Sequence, residues 1–401
     1  MHSGDVNDNG RVNPHRPSLT RAAALAVAIA VLMGCTTGST TSSPPSTGPV
    51  APRPIPAASP SPSPLPDTPV VPLPPPPTPA RIYEDLSGIE TTADRAHRYP
   101  IAVMLDDAPA ARPQAGLSEA SVVWQAPVEG GIPRYMAVYQ AKDAASIGPV
   151  RSARLYFVRW AAEWEALYLH AGGPPPLKLW LRGDQDLVVN ADGKRTRRVS
   201  WRAAPHNLYS TSRGLRSYAR TVGAADDDLV YDPSAPGAIQ QFRDGAAEAG
   251  RGPERSRISL RYTSERVAYL YDRASNTWQR SVDGKPHYDA GPDANRGRGA
   301  KGAGPRIAPT TVIVMLVPIR RSDRIDGPAL GRLVADSIGT NKAWVFADGH
   351  VIAGRWVKKA PESRTRFLDA DGAEIVLPRG QIFVQVVPKA SAFDHTVDPA
   401  S

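Results

Sequence analysis

A long proline-rich segment limits where this chain can fold. Over residues 36–80 most positions are Pro, Ser, Thr or another small residue, and Pro74 to Pro77 are consecutive. Sequence of this kind cannot bury a core, and Pro-rich chain is extended at about 3.1 Å per residue. We therefore predict a disordered tether over residues 35–80 with a reach of about 140 Å, and a folded part that begins after it.

The residues before the tether have the pattern of an export signal. Three arginines (Arg11, Arg16 and Arg21) precede an apolar run over residues 22–33, which is too short to span a bilayer. The run ends at Leu32-Met33-Gly34-Cys35, which resembles the bacterial lipobox except that Met33 is unusual there. We predict a signal peptide over residues 1–34 and a diacylglyceryl and palmitate modification of Cys35.

Cys35 is the only cysteine among the 401 residues. If it carries lipid, the mature chain has no free thiol, which excludes disulfides, a thiolate nucleophile and cysteine-ligated metal. The expected location is the outer face of the cell membrane, outside the cytoplasm, with membrane lipid as the partner of Cys35. The alternative is an ordinary signal peptide in which the position of Cys35 is incidental.

The formal net charge of the chain is +9, and removal of the predicted signal peptide leaves +8. For a protein outside the membrane, the partners that suit a basic surface are anionic lipid headgroups or acidic wall polymers rather than nucleic acid. A solvated basic surface without any partner is the alternative.

The folded part divides by pattern into an α/β domain of mixed α+β type over residues 81–250 and a β-rich domain over residues 251–401. Residues 101–105 and 310–317 are short apolar runs that predict buried strands. Residues 154–165 predict a helix, followed by a strand into His170, and residues 238–242 predict another helix. Asp283-Gly284, Asp348-Gly349 and Asp371-Gly372 are typical of turns.

Two arginines follow a Gly-Pro turn and form the most informative polar motif. Arg151 and Arg154 are three residues apart, so they would share one face of a helix that started there. Two guanidinium groups on one face suit the capture of a carboxylate or phosphate. The alternative is pairing with acidic residues such as Glu163 or Asp106.

Two histidines and an amide extend this candidate site. His170 ends a predicted strand, and His206 and Asn207 follow a proline. No third ligand with metal-site spacing accompanies either histidine, so we predict no metal and no cofactor.

Glu129 precedes Gly130-Gly131 and is the candidate acid or base for catalysis, with His170 or His206 as its partner. Asp106 or Asp107 could supply the second carboxylate of a glycosidase. The alternative is that Glu129 and Arg134 form an ion pair that stabilises the turn.

Several motifs in the same order resemble the YerB-like lipoprotein family, a bacterial family without an established biochemical function. They are Pro100-Ile-Ala-Val-Met104, Ala111-Arg-Pro-Gln-Ala-Gly-Leu-Ser118, Glu129-Gly-Gly131, Gly148-Pro-Val-Arg-Ser-Ala-Arg154, His170-Ala-Gly-Gly173, Ala204-Pro-His-Asn-Leu-Tyr209, Asp348-Gly-His-Val-Ile352 and Gln385-Val-Val-Pro388. The resemblance implies N-terminal and C-terminal YerB-like domains. The chain departs from the family at Asp107-Ala108, where members carry Asn-His.

Together these patterns favour a membrane-anchored envelope lipoprotein that is not an enzyme. Its ligand would be an anionic envelope molecule, such as a wall polymer or peptidoglycan fragment, or an envelope protein. The predicted ligand-binding residues are Arg151, Arg154, His170, His206 and Asn207. A wall hydrolase that uses Glu129 with His170 or His206, and a protein-interaction scaffold, are the alternatives.

Overall fold

The computed structural model describes residues 80–173, 188–224, 239–296, 304–322 and 332–400. The predicted signal peptide, Cys35 and the predicted tether up to residue 79 lie outside these ranges. Within the described ranges, no helix is long and apolar enough to cross a membrane.

The largest sheet in the described residues has ten strands. In spatial order they are β20 (Arg366–Leu368), β19 (His350–Lys358), β18 (Gly339–Ala347), β15 (Thr311–Leu316), β22 (Ile382–Val387), β4 (Val122–Pro127), β5 (Pro133–Tyr139), β3 (Ile101–Asp106), β6 (Leu167–His170) and β7 (Val188–Asn190). β22 pairs in parallel with both β15 and β4. Strands from both sides of the predicted boundary at residue 250 therefore contribute to this one sheet.

A second, antiparallel sheet has five strands. In spatial order they are β14 (Lys285–Pro286), β13 (Thr277–Val282), β12 (Arg266–Asp272), β11 (Arg257–Arg261) and β23 (Phe393–Thr396). Burial alternates along β11, β12 and β13, so one face of this sheet packs on the core and the other faces outwards.

The remaining elements are short. The helices are α1 (Ala93–Ala96), α2 (Leu155–Ala161) and α3 (Ser212–Thr221). Two-stranded pairs form between β1 (Ile82–Tyr83) and β2 (Glu90–Thr91), β8 (Arg197–Arg198) and β9 (Leu208–Tyr209), β10 (Phe242–Arg243) and β21 (Leu377–Pro378), and β16 (Ile319–Arg321) and β17 (Leu333–Ala335).

The structure confirms the mixed fold with a β-rich C-terminal part. β3 and β15 occupy the two predicted apolar strands, and α2 with the 3-10 turn Ala162–Trp164 occupies the predicted helix over residues 154–165. The helix predicted over residues 238–242 is wrong in its described part. Phe242 begins β10 and lies opposite Leu377, because pairing with a distant strand satisfies the backbone there.

Both faces of the ten-stranded sheet are covered, and β3 shows why. Ile101, Val103 and Leu105 lie in the same apolar cluster as residues of the five-stranded sheet. Ala102 and Met104 lie in a second cluster that includes residues of α2. Successive side chains of a strand point to opposite faces, so a strand buried on both sides reads as one continuous apolar run.

A buried network of charged and polar side chains joins the two sheets. Gln125 Nε2 donates to Asp107 Oδ2 at 2.6 Å and to Glu265 Oε1 at 2.8 Å. Gln125 Oε1 accepts from Arg280 Nη2 at 2.9 Å. Arg112 pairs with both carboxylates. We call these five residues, together with His287, the buried network.

His287 is a neutral member of the buried network, as Gln125 is. Its Nδ1 lies 2.5 Å from Arg280 Nη1, and its Nε2 lies 2.9 Å from Gln114 Oε1. Burial and then the charge of Arg280 lower the pKa of His287 well below its usual value. A neutral ring that accepts at Nδ1 and donates at Nε2 fits both contacts.

Candidate functional site

Residues 147–154 run along the carboxyl ends of β3 and β6. The N–H of Asp106 donates to the carbonyl of Pro149 at 2.9 Å, and the N–H of Ala171 donates to the carbonyl of Arg151 at 2.9 Å. The segment is therefore bonded to both strand ends. Its side chains are held on a fixed backbone where the two strands finish, a position at which binding groups are common.

The first polar group of the site is centred on Asp106, the last residue of β3. Its Oδ2 lies 2.7 Å from Nε of Arg151 and 2.6 Å from Nδ1 of His206. Asp106 is buried, whereas a quarter of the Arg151 side chain and a fifth of the His206 side chain are exposed. The structure thus brings Arg151 and His206 together, and the alternative that Arg151 pairs with Asp106 is confirmed.

The second group is centred on Glu129. Its Oε2 lies 2.6 Å from Nε and 2.5 Å from Nη2 of Arg154, and its Oε1 accepts from the N–H of Leu333 at 3.0 Å. Burial raises the pKa of Glu129, but the bonds from Arg154 and Leu333 more than offset it, so the pKa lies below its usual value. Glu129 is therefore a paired carboxylate at neutral pH.

Arg134 links the two groups and has no carboxylate partner among the described residues. Its Nη1 donates to the carbonyl and hydroxyl oxygens of Ser152, both at 2.8 Å. The same hydroxyl lies 3.2 Å from Nη1 of Arg154. The alternative that Glu129 pairs with Arg134 is wrong, because Arg154 occupies the carboxylate of Glu129 instead.

The environment of Arg134 is unfavourable for its charge. Burial, followed by the positive charge of Arg154, lowers the pKa of Arg134 to about 10, and the carboxylate of Asp106 offsets this only in part. The side chain remains protonated at neutral pH. Three guanidinium groups therefore face two carboxylates in this part of the structure.

His170 lies at the end of the neighbouring strand and is held by backbone. Its Nδ1 lies 2.8 Å from the carbonyl of Gly172, whose N–H donates to Asn190 Oδ1 at 2.8 Å. Burial lowers the pKa of His170, so the ring is neutral at pH 7 and carries its proton on Nδ1, where the carbonyl can accept it.

Asn207 is separated from the other predicted residues. Its Nδ2 donates to the carbonyl of Val199 at 3.0 Å, and its Oδ1 accepts from Nη1 of Arg198 at 2.6 Å. Both ends of its amide thus form hydrogen bonds within the hairpin of β8 and β9. His206 bonds to Asp106 and Asn207 to the carbonyl of Val199, so the two side chains do not serve the same site.

We call this arrangement the strand-end cluster. Its members are Asp106, Glu129, Arg134, Arg151, Ser152, Arg154, His170 and His206. Among the described residues, no three His, Cys, Asp or Glu side chains are grouped as metal ligands. The structure gives the contacts of the cluster residues, and their roles in ligand binding stay predictions.

The predicted ligand-binding residues did not include Arg134, which the sequence indicated only as a partner of Glu129. β3 and β5 are antiparallel, and Asp106 lies directly opposite Arg134 in their register. The only signal in the sequence for their contact was a pair of opposite charges. Asp106 ends one predicted strand, and Arg134 begins the second predicted strand after it. That signal becomes useful only once the pairing of the strands is known.

Comparison with known proteins places these features in one family. A model for the N-terminal domain of a protein of unknown function (DUF3048) matches residues 86–225, and the model for its C-terminal domain matches residues 258–384. A protein of Bacillus subtilis (strain 168) named "Putative lipoprotein YerB" is 26% identical over 323 residues, which cover 79% of this chain and 89% of that protein.

A solved structure agrees with this assignment. The crystal structure of the YerB protein from Bacillus subtilis matches with a TM-score of 0.65 and 25% sequence identity. The match covers 79% of this chain and 100% of the crystallised chain. The resemblance seen in the sequence motifs is thereby confirmed.

Proposed function

Since this chain belongs to the DUF3048 family and is similar to the Bacillus protein named "Putative lipoprotein YerB", we propose that it is a lipoprotein of the cell envelope that binds an anionic ligand. Lipid on Cys35 would hold it on the outer face of the membrane, and the proline-rich tether would carry the folded part outwards into the wall. The ligand would bind at the strand-end cluster.

The observation that carries this proposal is the unmatched charge of Arg134. Its bonding partner, Ser152, is neutral, and no described residue accepts a hydrogen bond from its Nε or Nη2. A half-buried cation without a counter-charge is costly, as the lowered pKa of Arg134 indicates. A bound anion would supply the missing charge.

The chemistry of the donors indicates the kind of anion. Guanidinium groups present pairs of N–H donors that match the oxygens of a carboxylate or phosphate. Arg151 is partly exposed beside Arg134, and only one of its nitrogens is bonded to Asp106. A single carboxylate or phosphate group of a wall fragment would therefore suit the cluster.

The hydrolase alternative has less support. Glu129 is held ionised by Arg154 and by a backbone N–H, which leaves no proton for an acid to donate at neutral pH. His170 is neutral and donates to a backbone carbonyl. The pairing of His206 with Asp106 is the one arrangement that would suit a base, and the experiment below tests it.

The test incubates the full chain, kept in detergent, with soluble fragments of purified wall, and follows bound and free fragments by mass spectrometry. We expect fragments that carry a carboxylate or phosphate to be retained with unchanged mass. Arg134→Gln should weaken retention at least tenfold, because a hydrogen bond to a charged group contributes about 1.5–3 kcal/mol.

Arg220→Gln is the matched control, since Arg220 is exposed at the end of α3, outside the cluster. It should bind as the unmodified chain does. Shortened fragments would contradict the binding proposal in favour of a hydrolase. Equal retention by Arg134→Gln, with the variant shown to be folded, would remove the cluster as the site.

A further inference from the structure

The outward face of the five-stranded sheet forms a groove of 980 Å³. Most of its lining comes from β11 and β12, with Ser281 from β13, and residues 262–265 and 391–394 close its edges. Side chains on the opposite face of the sheet, such as Ile258, Tyr271 and Trp278, are buried in the core. The groove therefore lies on a different surface from the one on which the sheet packs.

Small side chains form the floor of the groove. Ser259 lies opposite Ala268 in the register of β11 and β12, and Ala268 lies opposite Ser281 in the register of β12 and β13. This row crosses three strands without a large side chain. A depression results. Its two hydroxyl oxygens accept from arginines, Ser259 Oγ from Arg257 Nε at 3.1 Å and Ser281 Oγ from Arg306 Nη2 at 3.4 Å, and each O–H can still donate.

Arginines border this floor on both sides. Arg257 lies at one end of β11 and Arg261 at the other, and Arg261 lies directly opposite Arg266 of β12. Like charges directly opposite on neighbouring strands are destabilising. All three arginines are exposed, and none forms an ion pair with a carboxylate in the part of the chain that the structure describes.

Three carboxylates also line the groove, and two of them already have an ion-pair partner. Glu265 is buried and pairs with Arg112. Asp283 is already bonded to Nη1 of Arg112 at 3.2 Å and to the N–H of Arg266 at 2.9 Å. Asp394 is exposed on the edge strand β23. Among the described residues that line the groove, three arginines but only one carboxylate, Asp394, thus have no ion-pair partner.

The lining offers no aromatic surface for stacking. Tyr262 and Tyr269 line the groove but are buried. Phe393 is partly buried, with its ring 5.0 Å from that of Trp344. Nucleic-acid bases rely on exposed aromatic rings for much of their binding to single-strand sites, so this surface does not suit them.

We propose that this groove binds a linear polyanion, a chain of phosphate groups joined by polyol units. The arginines supply the charge complementarity, and the two serine hydroxyls of the floor match the hydroxyls of a polyol. Arg257 and Arg261 are four residues apart on one strand, about 13 Å, so the surface spans several charged units rather than one. The ligand thus differs from the single anionic group proposed for the strand-end cluster.

The test measures the dissociation constant of a synthetic glycerol phosphate hexamer for the full chain in detergent at 0.1 M salt. The triple variant Arg257→Gln, Arg261→Gln and Arg266→Gln should weaken binding at least tenfold. The control triple variant Arg213→Gln, Arg220→Gln and Arg321→Gln removes the same charge from exposed positions elsewhere and should weaken binding less than threefold. Circular dichroism establishes that each variant is folded.

Other probes separate this proposal from its competitors. The comparison is repeated in chains that also carry Arg134→Gln, which removes the strand-end cluster as a second site for phosphate, and the same loss in the groove triple variant is expected there. Equal losses in the two triple variants would show that only bulk charge matters, and would overturn the proposal. Tighter binding to a carboxylate-bearing glycan or to vesicles of anionic lipid than to the hexamer would also overturn it.

Discussion

Replacing the buried Arg280 by methionine, Arg280→Met, is expected to lower the free energy of unfolding by about 3–5 kcal/mol. The side chain of Arg280 is fully buried. It donates to Gln125 Oε1 at 2.9 Å and to the hydroxyl of Tyr269 at 3.2 Å, and it contacts Nδ1 of His287 at 2.5 Å. Without it, each of these groups loses a partner that water cannot readily replace.

The larger part of the expected loss comes from charge. Arg280 and Arg112 balance the carboxylates of Asp107 and Glu265 in the buried network. Burial raises the pKa of Asp107, and Arg112 and Arg280 offset that rise in part. Removing Arg280 leaves an uncompensated buried charge, which is the costly step when one partner of a buried pair is deleted.

Urea denaturation at pH 7 measures this effect. Arg261→Met is the control, because Arg261 is an exposed arginine on β11 of the same sheet, and it should change the free energy of unfolding by less than about 0.5 kcal/mol. The double variant Arg280→Met with Asp107→Asn should recover part of the loss. A loss for Arg280→Met no greater than that of the control would show that the buried network is not required for stability.

The second large effect is expected at Lys358, where Lys358→Met should cost about 3 kcal/mol of unfolding free energy. Lys358 is fully buried at the end of β19, with its Nζ 3.1 Å from Oε2 of Glu163 and 2.5 Å from the carbonyl of Ser363. The N–H and hydroxyl of Thr365 donate to the same carboxylate oxygen. Deleting the ammonium leaves Glu163 buried without its counter-charge.

Lys359→Met is a closely matched control, because Lys359 is the next residue along the chain and is exposed. It should unfold at nearly the urea concentration of the unmodified chain. The double variant Lys358→Met with Glu163→Leu should be more stable than Lys358→Met alone, since it removes the buried carboxylate as well. If the double variant is instead the less stable of the two, the ion pair is not what the single variant disrupts.

Much of the secondary structure could be predicted because its signals are local. β3 and β15 are continuous apolar runs, and strands of that kind are buried on both faces. The turn at Asp348-Gly349 has positive φ at both residues, 52° and 78°, which is the backbone that this dipeptide favours in a hairpin. Each of these features depends on residues that are adjacent in the sequence.

The arrangement of the strands could not be predicted in the same way. β22 lies between β15 and β4, so the continuity of the large sheet depends on pairings between residues that are far apart in the chain. The helix prediction over residues 238–242 is wrong in its described part for the same reason, since β10 is extended because it pairs with β21. Local propensity is a weak guide where tertiary pairing decides.

The same distinction between local and long-range contacts explains which residues of the candidate site could be predicted. Arg151 and His206 were predicted as members and do meet, because both adjoin the end of β3. Asp106 was predicted as an alternative ion-pair partner of the arginines, as it is for Arg151. The sequence did not show that Arg134 lies opposite Asp106, since that follows from the register of β3 and β5. Asn207 was included with His206 as a neighbour in sequence, although its side chain is used in another hairpin.

The central claim is that the unmatched charge of Arg134 makes the strand-end cluster an anion site. Calorimetric titration of inorganic phosphate into the full chain in detergent tests it most directly, with the unmodified chain, Arg134→Gln and the groove triple variant compared at one salt concentration. We predict saturable binding that the groove triple variant retains and that Arg134→Gln weakens at least tenfold. Absence of binding to the unmodified chain, or equal affinity in Arg134→Gln, would contradict the claim.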